Sequence, residues 1–243
     1  MFSFIWHTFF FDPVYNGLVF FIDVIPGGDV GLAIIAITVV VKIILLPLSL
    51  KAARTQKVMR ELEPKLKAIK ERFKDKREEQ ARAMRDLYKE AGLNPFASIL
   101  LLFVQIPIVI ALYFAVSRGG GVPLPDINID LLYAFVPAPE TANMIFFGIV
   151  NIAEKSLPLA FLAGITQFVH ARMAIPPMAP KEEGAEPSLR DDFARSMQLQ
   201  MKYVMPVIIF VVAYSISAAI ALYFTVSNLS MIAQEFLVRR HRD

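Results

Sequence analysis

The chain has 243 residues, 56% of them hydrophobic, and a mean hydropathy of +0.53, too apolar for a soluble domain and suited to a polytopic membrane protein. It has no Cys, which excludes disulfides, thiolate metal sites and a lipid-anchored cysteine. The net charge of +3 says little as a total, because its distribution along the chain carries the information.

Residues 1–29 are aromatic and apolar, with only Asp12, Asp23 and Asp29 charged. The stretch lacks the basic start and small-residue cleavage site of a secretory signal peptide. Phe9, Phe10, Tyr15, Leu18, Val19 and Ile22 are expected to line one face of a helix lying in the membrane interface. Pro26-Gly27-Gly28 then turns the chain into a first span, residues 30–50. From Gly31 to Leu50 this span reads GLAIIAITVVVKIILLPLSL, roughly 30 Å of helix and a match to the hydrocarbon core of a bilayer. Its one charge is Lys42. A charge at that depth costs about 3 kcal/mol on the lenient insertion scale. Two readings are open: the ammonium serves a function in the bilayer, or the side chain snorkels to the interface. Lys51 marks that interface nine residues on, roughly 14 Å away and beyond the reach of a lysine stem.

Residues 51–93 change character at once, crowded with Lys and Arg interleaved with Glu. Leu62, Leu66, Ile69 and Phe73 recur at helical spacing, and so do Ala81, Met84, Tyr88 and Ala91. The pattern predicts two amphipathic helices in an antiparallel hairpin, with Pro64 kinking or restarting the first. A solvated helix pair that merely links two spans fits the same pattern. Asn94-Pro95 is a helix start, with Asn as N-cap and Pro at the first helical position, and opens a second span at 94–117. That span carries Gln105 and Pro107 near its middle. Proline breaks a backbone hydrogen bond, which in lipid needs a neighbouring polar group.

Residues 118–157 form a Gly- and Pro-rich loop, acidic on balance, with Gly119–Gly121 as a turn. Within it Met144–Ile152 is apolar, too short to span, and expected to rest on the membrane surface. A third span covers 158–175 with Thr166, Gln167 and His170, and a Pro- and Glu-rich linker follows at 176–200. The fourth and fifth spans, 201–215 and 217–238, are separated by a bend at Tyr214–Ser217. The fifth carries Tyr223, Thr225, Ser227, Asn228 and Gln234, and a basic tail closes the chain at 239–243.

His7, His170 and His241 lack metal-ligand spacing, and there is no G-x-x-x-x-G-K-[ST] phosphate loop. A protein that is not an enzyme and uses no cofactor is therefore expected. With five spans the hairpin, linker and tail fall on one side and hold nearly all the Lys and Arg. The positive-inside rule makes that side cytoplasmic, with the N-terminus and the 118–157 loop outside a plasma (inner) membrane.

The run from Met59 to Val116 resembles the YidC/Oxa/Alb membrane protein insertases. The matching words are Glu63-Pro64-Lys65-Leu66, Leu87-Tyr88-Lys89-Glu90, Gly92-Leu93-Asn94-Pro95 and Gln105-Ile106-Pro107-Ile108. Similarity extends to Lys42-Ile43-Ile44-Leu45-Leu46-Pro47-Leu48, to Leu162–Gln167, to Met205-Pro206-Val207, and to Ala221-Leu222-Tyr223-Phe224 with Asn228. The resemblance implies an all-α membrane protein, five transmembrane helices around a polar groove with a cytoplasmic helical hairpin. It puts Lys42 at the groove's basic position. Four departures stand out. That position is often Arg in bacterial members, and Lys offers a point charge in place of a fork. Phe224 stands where many members have Trp. Six residues after Leu237 leave no long basic extension of the kind some members use to hold ribosomes, and no large external domain precedes the first core helix.

The resemblance implies an insertase and membrane chaperone for nascent membrane proteins, working without ATP. Lys42 would attract acidic residues of a short outer segment, and Thr38, Gln105, Gln167 and Asn228 would replace its water, with Tyr223 and Phe224 completing the groove. Insertion of a twenty-residue apolar span returns about 6–10 kcal/mol, against about 3 for each charge carried across. Short tails with few charges are thus the expected substrates. The ribosome, a Sec translocon and membrane lipids are the other expected partners, with no nucleic acid specificity. A small secondary transporter using Lys42 as a substrate or coupling site is the competing reading, weakened by the lack of an inverted repeat and of any acidic residue expected within a span. A scaffold whose charged hairpin binds a cytoplasmic partner is a third.

Overall fold

The computed structural model describes residues 2–92, 96–117, 121–175 and 196–240. The Asn94-Pro95 helix start, most of the Gly119–Gly121 turn, most of the 176–200 linker and the last three residues of the tail lie outside the described residues. The chain divides into two compact units, Met1–Ile43 with Pro107–Asp243, and Ile44–Ile106.

The first unit begins with a short helix, α1 (Phe2–Trp6), and a π-helical turn (His7–Phe11) leading into α2 (Asp12–Val24). Asp12 and Pro13 suit a helix start, the carboxylate by opposing the helix dipole and the proline by its fixed φ. Tyr15, Leu18, Val19 and Ile22 do share a face, and it is wholly buried in protein rather than turned to lipid. Phe9, in contrast, is 65% exposed. It lies in the π turn, whose wider winding takes it off the stripe that a regular helix would give.

Helix α3 (Val30–Glu61) follows the Pro26–Gly28 turn, where Gly27 and Gly28 have φ of +77° and +61°. Asp29 caps it, its Oδ1 accepting from the amide of Leu32 at 3.0 Å. The helix does not stop at Leu50. It runs unbroken through Pro47 and the basic stretch to Glu61, 32 residues in all, because Lys, Arg, Gln and Glu are as good helix formers as the leucines before them.

The second unit takes in the distal part of α3, then α4 (Glu63–Arg72), α5 (Arg77–Glu90) and the first part of α6 (Phe96–Ser117). Pro64 falls in the first turn of α4, so the restart is the one its missing N–H favours. Helices α4 and α5 pack on each other. Leu62 and Leu66 are buried, and the facing stripe is Ala83, Met84, Leu87 and Tyr88, while Ala81 is exposed. The stripe is two adjacent i, i+4 pairs. Gln80 Nε2 donates to the carbonyl of Lys70 across the pair at 3.2 Å, and Lys76 meets Glu79 within the start of α5, at the surface, at 2.9 Å.

The rest of the first unit is the distal part of α6, then α7 (Leu157–Ala174), α8 (Met205–Ile216) and α9 (Ala218–Arg240). Helix α8 continues an apolar helical stretch from Ser196 through a π turn at Gln200–Val204. Ser217, fully extended, separates α8 from α9 at the expected bend. Ala160, Ala163, Ala213 and Ala221 are wholly buried where α7, α8 and α9 meet, with Leu159, Ile209, Phe210 and Phe224 packed round them. Small side chains let backbones approach, which is how helices gain contact where lipid supplies no hydrophobic drive. Gly164 does the same: a Cβ there would press on Phe210.

Among the described residues three helices are long and apolar enough to cross a membrane, Val30–Thr55, Ser196–Ile216 and Ala218–Leu237. The protein is an all-α membrane protein with little strand among the described residues. Met144–Ile152 includes a two-stranded antiparallel ribbon, β1 (Ile145–Phe146) and β2 (Val150–Asn151), in the loop before α7.

Candidate functional site

Polar side chains sit on three long helices of the first unit. On α3, Thr38 is buried, and its hydroxyl donates to the carbonyl of Ile34 at 2.6 Å. That satisfies the hydroxyl within its own helix. Thr38 and Tyr223 of α9 wall the same small cleft, of about 180 Å³ of empty space partly open to the outside. Its other lining is Val14, Ile37, Val41, Ile108 and Leu112, so it is an apolar space with two polar groups at its edge. Tyr223 is fully buried, its hydroxyl next to that of Ser227.

Lys42 lies one turn beyond Thr38, half-buried and outside the lining of that cleft. It is within electrostatic reach of His170 on α7, which also feels Glu235 on α9. Three ionisable groups from three helices therefore share one region of the first unit. His170 was visible in the third span as a polar residue; its Nδ1 is buried with no hydrogen-bond partner. Glu235 corrects an expectation. It stands inside the apolar stretch Ala218–Leu237, so a span does contain an acidic residue. The basic tail directly after it masks it in a charge count.

Asn228 bridges two helices. It is buried, and its Nδ2 donates to the carbonyl of Ala163 and to Thr166 Oγ1, each at 3.3 Å, tying α9 to α7. Thr166 in turn donates to the carbonyls of Leu162 and Ala163. Gln167, the next residue on α7, is half-buried. Phe224 faces the alanine cluster between α7, α8 and α9, and its ring meets that of Tyr223 edge-on at 5.7 Å. Gln105 belongs to the second unit, half-buried on the first part of α6. Among the described residues there is no group of three His, Cys, Asp or Glu side chains able to hold a metal.

The sequence of the family described as the 60Kd inner membrane protein matches residues 21–243. The chain belongs to this family. As a member of the 60Kd inner membrane protein family it has relatives along nearly all its length. It is 28% identical over 241 residues to the membrane protein insertase YidC of Oceanobacillus iheyensis, covering 97% of this chain and 84% of that one. Against YidC of Alkalihalophilus pseudofirmus the identity is 30% over 245 residues, with 96% and 81% covered. YidC of Shewanella halifaxensis is 32% identical over 226 residues, which are 93% of this chain but only 36% of that longer protein. The family match thus takes in all three long apolar helices, the charged helix pair between them and every polar residue of the candidate site.

Proposed function

We propose that this chain is a membrane protein insertase and chaperone: it inserts nascent membrane proteins and helps them fold. The observation that carries the reading is the family match across residues 21–243, with insertase-named relatives covering nearly the whole chain. Three ionisable residues and a set of hydroxyl and amide side chains on apolar helices add support, since such groups are costly in lipid and mark functional paths.

In this reading five helices cross the membrane, α6 and α7 joining the stretches Val30–Thr55, Ser196–Ile216 and Ala218–Leu237. The helix pair α4–α5 and the tail face the cytoplasm, and the 121–156 loop lies outside. Lys42 draws the acidic outer segment of a substrate into the bilayer. Thr38, Gln105, Gln167, Tyr223, Phe224 and Asn228 form or support the polar path, and the apolar part of the substrate passes sideways into lipid. No ATP enters, because burial of the substrate span outweighs the transfer of one or two charges. The ribosome and a Sec translocon meet the cytoplasmic and lateral faces.

The test is purified protein in liposomes, offered a small single-span coat-type protein. Protected, membrane-spanning product without nucleotide is the expected result. Solute flux without insertion would favour the transporter reading, to which Glu235 now lends a protonatable group. External labelling of a Lys76→Cys variant in intact cells would overturn the orientation.

A further inference from the structure

The β1–β2 ribbon has an unusual turn. Phe146 pairs with Val150, leaving Phe147-Gly148-Ile149 as the connecting loop. Phe147 has φ of +50° and Gly148 φ of +72°, so two successive residues occupy the left-handed region. Gly accepts that conformation freely; a bulky aromatic residue does not. The strained residue is not tucked away. Phe147 is 65% exposed and Ile149 83% exposed, the latter among the most exposed large apolar side chains of the protein. No charged residue occurs from Thr141 to Ala153.

The ribbon is also fastened at a defined level. The amide of Phe147 donates to Asp29 Oδ2 at 3.0 Å, and Val30 N–H donates to the carbonyl of Asn143 at 3.0 Å. The ring of Phe146 lies directly on Gly31, where any Cβ would collide with it. Beyond the ribbon, Ala219 N–H donates to the carbonyl of Ile152 at 3.0 Å. Val30 and Ala218 are the first residues of two of the long apolar helices. Two independent ties therefore hold the ribbon at the level where apolar helix begins, which is where a membrane's polar interface lies.

We propose that the Phe147-Gly148-Ile149 tip is a lipid anchor, seated in the interface of the membrane surface that α3 and α9 leave. An uncharged loop presenting an aromatic and a β-branched side chain at that level gains by leaving water, as apolar faces do at the headgroup–acyl boundary. The strained turn holds both side chains outward, and the Asp29 tie transmits the seat to the start of α3. The anchor fixes how deep that helix, and Lys42 on it, sits. The inference needs the chain to be a membrane protein but does not depend on the insertase reading.

The absence of cysteine makes the test clean. An Ile149→Cys variant of the full chain carries an environment-sensitive fluorophore and is reconstituted into phosphatidylcholine–phosphatidylglycerol vesicles. Nitroxide lipids probe contact with lipid, and aqueous iodide probes contact with water. Glu140→Cys, at an exposed site of the same loop, is the reference. The anchor predicts blue-shifted emission at position 149, quenching by a nitroxide high on the acyl chain several-fold stronger than by one near its end, and protection from iodide; position 140 shows the reverse preference. Quenching of position 149 by iodide and not by lipid would overturn the proposal, placing the tip in water. Protection from both would overturn it too, placing protein over the tip, either a second copy or the chain itself.

Discussion

The 121–156 loop and the α4–α5 helix pair make an instructive contrast. The loop has almost no regular structure, yet it is bound to the ends of its helices at many points. Tyr15 Oη accepts from the amide of Asn128 at 2.8 Å. Buried Asn16 donates to the carbonyl of Leu131 at 2.9 Å and accepts from the amide of Tyr133 at 2.6 Å. Asn143 exchanges backbone hydrogen bonds with Gly28 and Val30, and Ala218 N–H reaches the carbonyl of Glu154. The helix pair is regular throughout but rests on a narrow seam and charged surfaces. Internal hydrogen bonds of a helix do not fasten it to anything; only side-chain burial and cross-element bonds do. The loop owes its place to cross-element hydrogen bonds, and the pair holds together through its seam.

The sharpest way to break this contrast is at Asn16. Asn16→Leu keeps the branched shape but removes the part-buried hydrogen bonds to the Leu131 carbonyl and the Tyr133 amide, and the one to the Asp12 carbonyl. A loss of about 2–4 kcal/mol of stability is expected, at about 0.5–1.5 for each of the three hydrogen bonds. It should appear as a lowered unfolding temperature in detergent, and a value equal to wild type would mean that the loop is not held there. Next comes Gly31→Ala, which drives a methyl into the Phe146 ring. Overpacking of this kind costs about 1–3 kcal/mol, and faster hydrogen exchange at Ile152, whose amide donates to the carbonyl of Met144, should accompany it. An unchanged exchange pattern would show the ribbon free to step aside.

The smallest effect belongs to the helix pair. Lys76→Ala removes an exposed ion pair and should shift stability by no more than about 0.5 kcal/mol. Deleting Lys57–Glu90 extends the point: the first unit should keep its unfolding temperature while insertion of substrates falls. Full insertion after that deletion would reduce the pair to a linker.

Much of this was legible in the chain. Long apolar runs announce their helices, and Pro64 and Ser217 stand at the breaks where their chemistry puts them. The face Tyr15, Leu18, Val19 and Ile22 was readable from its period, but not what covers it, because protein and lipid both accept an apolar stripe. The continuation of α3 past Leu50 was hidden because hydropathy reports the membrane boundary and not the end of a helix. The ribbon at 145–151 escaped because two residues per strand give no period to read. Within the site, residue type identified polar groups but not their partners. Asn228 is spent on joining α7 to α9, a bond between residues more than sixty positions apart. The neighbourhood of Lys42, His170 and Glu235 is equally non-local.

Lys42 carries the central claim, and insertion by reconstituted protein across substrates with acidic or neutral outer tails tests it most directly. If Lys42 captures substrate by its charge, Lys42→Arg keeps activity, and Lys42→Ala loses acidic-tailed substrates about tenfold, the equivalent of some 1.4 kcal/mol. Lys42→Glu loses more through repulsion, neutral tails suffer less, and added salt changes little because a site inside low-dielectric walls is poorly screened. Equal insertion of both substrates by wild type and Lys42→Ala would contradict the account and leave Lys42 as a side chain that merely snorkels to the interface.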